Sequence, residues 1–267
     1  TEVISMTIKC GVNADKALLN QPLLNKPFIL AKPVELILFD LDGTLIDSAP
    51  DLARALNKML VEFALPKVSQ ALVREWVGNG AAKLVERALD FSVNHLLVNQ
   101  SVINPESVIE LDDIDALQSK ALDAFLVHYD ACCAHKTVLY DGVLGALEQF
   151  SRQQISMAIV TNKPRRFIAP ILQHLAIAHY FTICLGGDEL VNKKPHPEPL
   201  LHCIQVLNVD GPQVLMVGDS RNDIAAARAA NITVVAMNYG YNHGRPIELD
   251  QPDAVFASMT DLAKQLA

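Results

Sequence analysis

Two carboxylates two positions apart, Asp40 and Asp42, stand in the stretch Phe39-Asp40-Leu41-Asp42-Gly43-Thr44-Leu45. Acids this close repel each other unless a cation or a shared proton compensates. A second acidic pair, Asp219 and Asp223, lies one helical repeat apart in Gly218-Asp219-Ser220-Arg221-Asn222-Asp223. Acids at a helix start can simply complement the helix dipole, but two such pairs on one sheet edge suit a hard cation held by oxygens. Thr161 and Lys194 fall between the pairs in the chain. A threonine hydroxyl and the backbone N–H groups of a helix start would face an anion. Pro195 biases Lys194 to extended backbone just ahead of another helix. Gly43 permits close approach of backbone to a ligand, and Thr44 offers a hydroxyl and a possible helix cap. Each feature alone has a plain structural alternative: a solvated Asp-rich turn, a threonine capping its own helix, or a surface lysine.

What could bring these residues together is the pattern of elements around them. The apolar run Val34 to Leu38, broken only by Glu35, precedes the first acids and reads as a buried parallel strand. Further strands are expected at 155–160, 181–185, 214–217, 232–236 and near 254–256, alternating with helices at 142–153, after Thr161-Asn162-Lys163-Pro164, at 198–207, at 224–230 and at the C-terminus. Such alternation implies right-handed crossovers and a doubly wound parallel sheet of Rossmann-like α/β class. The candidate residues then all follow strands, at the carboxyl edge where open α/β sheets hold their ligands. Between the first strand and the rest, the period changes to helical, with segments at 48–63, 69–77, 81–89 and 113–129 and a turn at Gly78-Asn79-Gly80. The stretch 94–110 fits no element. The expected organisation is an N-terminal extension (1–33), a core domain (34–47 and 138–267) and an all-helical insert (48–137).

Composition narrows the classes. A chain of 267 residues that is 51% hydrophobic can build a substantial core, and its formal net charge of −8 argues against a general nucleic-acid surface. Cys10, Cys132, Cys133, Cys184 and Cys203 form no CxxC pair, which suits reduced thiols and a cytoplasmic setting. No apolar run approaches the roughly 18 residues that a membrane-spanning helix needs. The first 33 residues lack the basic start and apolar block of a signal peptide. Neither a P-loop nor a GxGxxG fingerprint is present, so no nucleotide cofactor is implied. Cys132, Cys133 and His135 are close in sequence but have no acidic orienter or oxyanion loop.

Taken together, Asp40-Leu41-Asp42-Gly43-Thr44, Thr161-Asn162, Lys194-Pro195 and Gly218-Asp219-Ser220-Arg221-Asn222-Asp223 resemble, in that order, the four motifs of the haloacid dehalogenase superfamily. The resemblance covers residues 34 to 267 and implies a parallel core of strand order 5-4-1-2-3 with an inserted helical cap. It implies that Asp40 is a nucleophile, Asp42 a general acid and base, and Thr161 and Lys194 phosphoryl-binding groups. It also implies Mg²⁺ held by Asp40, Asp42 (through its backbone carbonyl) and Asp219, with Asp223 either a direct ligand or one shell out. Residue chemistry agrees. Attack by a carboxylate splits a phosphate hydrolysis into two easier displacements, and the neighbouring acid can protonate a leaving alkoxide and then activate water.

An acid two residues after the nucleophile fits alcohol leaving groups, and so phosphomonoesters. Arg74 to Ala81, Tyr140-Asp141-Gly142-Val143 and Asn238-Tyr239-Gly240-Tyr241-Asn242 further resemble bacterial phosphoglycolate phosphatases, although many relatives carry proline at position 141. On that likeness the substrate is 2-phosphoglycolate, with Gly43, Thr44, Asn162, Gly78, Asn79 and Gly80 in its binding site. Alternatives are a phosphatase or phosphomutase acting on a sugar phosphate, or a non-catalytic relative that binds a phosphorylated ligand. The expected partner is a small phosphomonoester, with no nucleic acid and no membrane, and the expected assembly is a monomer or homodimer.

Overall fold

The computed structural model describes residues 32–99 and 114–267. Cys10, nearly all of the N-terminal extension and most of the stretch 94–110 lie outside the described residues. Strand β1 (Leu36–Phe39) is wholly buried, as its unbroken apolar run requires. It is paired in parallel on one side with β4 (Ser156–Val160) and on the other with β6 (Val214–Gly218). Strand β5 (Ile183–Leu185) extends the sheet beyond β4, while β7 (Thr233–Met237) and β8 (Ala254–Phe256) extend it beyond β6. The resulting order is β5-β4-β1-β6-β7-β8. Counting core strands along the chain, this is the expected 5-4-1-2-3 with a sixth parallel strand added outside the fifth. Strand direction of travel reverses at β1, and such switch points leave a crevice at the carboxyl ends.

Alternate residues of each strand feed opposite faces. Ile37, Phe39, Met157, Ile159, Leu215 and Val217 join one apolar cluster, and Leu36, Leu38, Ala158, Val160, Val214 and Met216 join the other. Helices α5 (Val143–Arg152), α6 (Ile168–His174) and α9 (Met259–Gln265) cover the first face with Leu147, Phe150, Ile171 and Leu262. Helices α7 (Glu198–Leu207) and α8 (Arg221–Ala229) cover the second with Leu200, Cys203, Ile224 and Ala227.

Four helices, α1 (Ala49–Glu62), α2 (Gln70–Trp76), α3 (Ala81–Asn99) and α4 (Ile114–Asp130), intervene in the chain before the sheet resumes. Helix α3 runs well past the expected end at Leu89, since neither glycine nor proline interrupts it. A short antiparallel pair joins the entry to this helical layer, β2 (Ile46–Asp47), to its exit, β3 (Val138–Leu139). Two-residue strands carry no readable periodicity, and the sequence does not foretell them. Asp51 in α1 reinforces the same junction: its Oδ2 accepts from the N–H groups of Lys136 and Thr137 and from the Thr137 hydroxyl, each at 2.8 Å. Cys132 and Cys133 are buried beside this junction and unbridged. Among the described residues no helix is long and apolar enough to cross a membrane.

Candidate active site

The carboxyl ends of β1, β4 and β6 deliver Asp40, Thr161 and Asp219 directly, and the segment after β5 returns Lys194 to the same edge. All four side chains are almost fully buried. Lys194 is joined to Pro195 by a cis peptide bond, and its Nζ lies 2.9 Å from Asp40 and 2.7 Å from Asp223. It also donates to the carbonyl of Val160, the last residue of β4. One lysine thus ties together the ends of three strands.

Asp40, Asp219 and Asp223 offer carboxylate oxygens that lie within 4.8 Å of one another. Asp223 is oriented from its own turn, its Oδ2 accepting from the N–H groups of Asp219 and Ser220 and from the Ser220 hydroxyl. That turn also starts α8 at Arg221, three residues before the expected Ile224. Asp219 receives the Thr44 hydroxyl at 2.6 Å and the Tyr241 N–H at 2.6 Å. Gly43 and Gly240 close around it, and a Cβ on either would come within 2.2 Å of its side chain. Gly43 has φ +95, so its glycine is required twice over, by conformation and by space.

Burial raises the Asp40 pKa to about 6; Lys194 opposes the rise, and Asp223 and Asp42 add to it. Asp219 is also held well above the usual carboxylate range, by burial first and then by Asp40 and Asp223. For Lys194 burial alone would lower the pKa, but Asp223 and Asp40 outweigh it and the net shift is upward. Three buried carboxylates facing one ammonium leave the cluster short of positive charge. An all-oxygen donor set with that deficit fits a hard divalent cation.

Asp42, expected to reach a metal only through its backbone carbonyl, turns its side chain away from this cluster. Its carboxylate is engaged elsewhere: Lys163 Nζ donates to both oxygens, at 2.8 and 3.0 Å, and the Ser48 hydroxyl donates to Oδ1. It is absent from the three-acid cluster. A role through its backbone carbonyl, as first inferred, is unaffected by where the side chain goes.

Three expectations change. Thr44 is fully buried and spends its hydroxyl on Asp219, so it orients a carboxylate and does not face a ligand. Thr161 lines the cleft, but no helix begins there. Pro164 is extended, a 3₁₀ turn spans Arg165–Phe167, and α6 starts only at Ile168, too distant for its dipole to act on an anion at Thr161. Asn79 does not line the cleft; its side chain accepts from Arg87 and its carbonyl from Lys193.

A cleft open to solvent runs from Asp40 and Asp42 beneath the helical layer. Gly78, Gly80, Asn162 and Thr161 form one side. The turn at Gly78 is tethered to the core, its carbonyl accepting from Asn162 and Asn222. Asn162 also donates to the Lys194 carbonyl, so it braces the site from behind. Leu52, Leu84, Phe125, Tyr129 and Phe167 line the remainder.

Residues that went unrecognised in the sequence are those whose partners are remote. Lys163 meets Asp42 from another strand end, and Tyr129, from another helix, accepts a hydrogen bond from Lys163. Tyr241 spans the site, its N–H on Asp219 and its hydroxyl between Asp47 and the N–H groups of Ser48 and Ala49. Arg74 from α2 pairs with Asp47 and lies over the Tyr241 ring at 5.5 Å, joining the helical layer to the core. The run Asn238 to Asn242 was singled out in the sequence, but nothing local signals what its tyrosines hold.

Comparison with known proteins adds independent findings. Residues 37–237 match the family description "haloacid dehalogenase-like hydrolase". A phosphoglycolate phosphatase of Pseudomonas putida is 44% identical over 227 residues, 85% of this chain and 78% of that one. One from Colwellia psychrerythraea is 43% identical over 228 residues, covering 85% and 95% respectively. A crystal structure of a predicted phosphoglycolate phosphatase from Haemophilus somnus, 36% identical, superposes with a TM-score of 0.77 over 88% of this chain and 98% of its own.

Proposed function

The chain belongs to the haloacid dehalogenase-like hydrolase family and is a phosphoric monoester hydrolase; from that premise we propose that it hydrolyses 2-phosphoglycolate to glycolate and phosphate through an aspartyl-phosphate on Asp40. The observation that carries the mechanism is the grouping of Asp40 with Lys194 and two further acids at the mouth of a cleft also lined by Asp42. The names of the relatives support the choice of substrate.

Asp40 attacks phosphorus and the ester bond to the glycolate oxygen breaks. Lys194, charged in this acidic setting, offsets the negative charge on the transferring oxygens, and Thr161 contributes its hydroxyl. Asp42, two residues on, gives a proton to the departing alkoxide and afterwards takes one from the water that hydrolyses the acyl phosphate. For this it must turn from Lys163 and Ser48 towards the leaving oxygen. Asp40, Asp219, Asp223 and the Asp42 carbonyl would hold Mg²⁺, which when bound shields the phosphate charge and lets one carboxylate approach it. The helices of residues 48–137 act as a cap that excludes water over the cleft, supported by their lining residues Leu52, Leu84 and Phe125.

A screen of phosphomonoesters at fixed Mg²⁺ tests the reading. The highest kcat/KM is expected for 2-phosphoglycolate. A clear preference for a hexose phosphate would overturn the substrate assignment, and no metal-dependent hydrolysis of any ester would overturn the mechanism.

A further inference from the structure

Beside the phosphoryl machinery, in contact with Asp42, the cleft contains a cation to which the steps above give no role. Lys163 is 5% exposed. Its Nζ donates to both oxygens of Asp42 and to the Tyr129 hydroxyl at 2.8 Å, and lies 4.9 Å from the centre of the Tyr129 ring. Tyr129, itself buried, has its pKa pushed well above the usual phenol value, by burial first and then by Asp42, so it meets the ammonium as a neutral hydroxyl. Lys163 is the only cationic side chain lining the cleft among the described residues; around it the wall is Leu52, Phe125 and Phe167.

A buried ammonium–carboxylate pair contributes little net stability, because desolvation offsets its Coulomb energy. Asp42, moreover, cannot both hold Lys163 and reach a leaving oxygen throughout the reaction. When it turns away, a buried ammonium is left facing the leaving group in an apolar surround, where an unpaired charge is strongly unfavourable. An anionic group on the leaving alcohol would remove that penalty.

The geometry points to Lys163 as the specificity-determining residue of this site: its ammonium receives the carboxylate of the leaving group, taking the place that Asp42 vacates. The inference rests on the proposed phosphatase reading and deepens it, defining the substrate class as phosphate esters of short hydroxy acids. Apolar neighbours strengthen such a pair and leave uncharged alcohols with no partner for Lys163. Selection thus comes from the cation's own need for a partner, and the Gly78-Asn79-Gly80 turn is not required to contact the carboxylate.

The test compares 2-phosphoglycolate with ethyl phosphate, which has a similar alkoxide leaving group and no carboxylate, on wild type, Lys163→Met and Lys163→Gln at saturating Mg²⁺. Wild type is expected to favour phosphoglycolate. In the variants the ratio of kcat/KM values, phosphoglycolate over ethyl phosphate, should fall on the order of tens of fold, the size of one charged hydrogen-bonded contact, mostly through KM. If Lys163 only braces Asp42, both esters lose rate together and the ratio stays, which overturns the inference while leaving the phosphatase reading intact. A wild type indifferent between the two esters overturns the phosphoglycolate reading itself. Should neither variant fold, inhibition of wild type by phosphonoacetate and by ethylphosphonate is decisive: equal affinities refute a cation awaiting the carboxylate, and a preference for phosphonoacetate supports it.

Discussion

In a Lys194→Met variant, Asp40 and Asp223 lose the ammonium that lies 2.9 and 2.7 Å from them. The lysine is 3% exposed, so water cannot take its place without opening the sheet edge. Removing one partner of such a buried pair costs about 3–5 kcal/mol, because a charge is left uncompensated. At about 2–4 °C per kcal/mol for a chain of this size, the melting temperature in chelator at pH 7 should drop by roughly 6–20 °C.

The pH dependence of that deficit follows from the sign of the shifts. The lysine's own pKa is raised, so it stays charged at every pH below about 10.4, and the pH dependence comes from the ionisation of the acids it faces. Without it, the acids are pushed higher than the Asp40 value of about 6. The native form then holds protons that the unfolded chain releases near pH 3.9, and stability falls as pH rises through that window. The deficit against wild type is therefore small near pH 4 and larger at pH 7, and excess Mg²⁺ should recover part of it by supplying positive charge. Thermal unfolding followed by circular dichroism, in chelator and in Mg²⁺ at both pH values, reads all of this. A melting temperature at pH 7 within about 2 °C of wild type would refute the claim that this lysine holds the buried acids.

Other perturbations give separate outcomes. Asp40→Asn should keep the fold and lose turnover by at least about a thousandfold, since the amide is a poor nucleophile; near-normal turnover by folded variant would remove Asp40 from that role. The same substitution should reduce the pH slope of stability in the metal-free protein: burial pushes Asp40 up to about 6, so wild type should lose about 3 kcal/mol relative to the variant between pH 4 and 7, measurable by urea unfolding, while Asp219 keeps a remaining slope of the same sign. Chelator should abolish hydrolysis and Mg²⁺ restore it, with Asp219→Ala raising the Mg²⁺ needed for half-maximal rate at least about tenfold; full activity in chelator would exclude a metal role. Gly80→Val puts a branched side chain at φ +90, with its Cβ 3.1 Å from the Asn162 carbonyl and from Lys193 Nζ. It should displace the turn over the cleft and raise KM for phosphoglycolate and p-nitrophenyl phosphate alike, and a loss confined to phosphoglycolate would assign specificity to the turn instead of Lys163.

Sheet class, element order and the acids after β1 and β6 were legible in the sequence, because each rests on local signals. A buried strand such as Leu36–Phe39 must be continuously apolar, and a strand-to-helix turn must carry small and polar residues such as Gly218-Asp219-Ser220. Helix α7 has the boundaries expected for it, 198–207, since Pro197 precedes it and the apolar period stops at Asn208. Where local signals end, the reading failed. The β2–β3 pair is too short to show a period, and the turn after Pro164 delayed α6, whereas β8 lies where the sequence placed a strand and only the five-strand order implied by the resemblance omitted it.

Residue types and their order along the chain were thus enough to bring Asp40, Thr161, Lys194, Asp219 and Asp223 to one edge, since parallel strands joined by right-handed crossovers align their carboxyl ends whatever the side chains do next. Which group each side chain then faces was decided by tertiary packing alone. Asp42 belongs by sequence with Asp40, yet it pairs with a lysine 121 positions away. Thr44 turned from ligand to brace for Asp219, and Tyr241 became a strut between two motifs. Those choices depend on which charges share a water-excluded volume, and only the folded chain brings that volume into being.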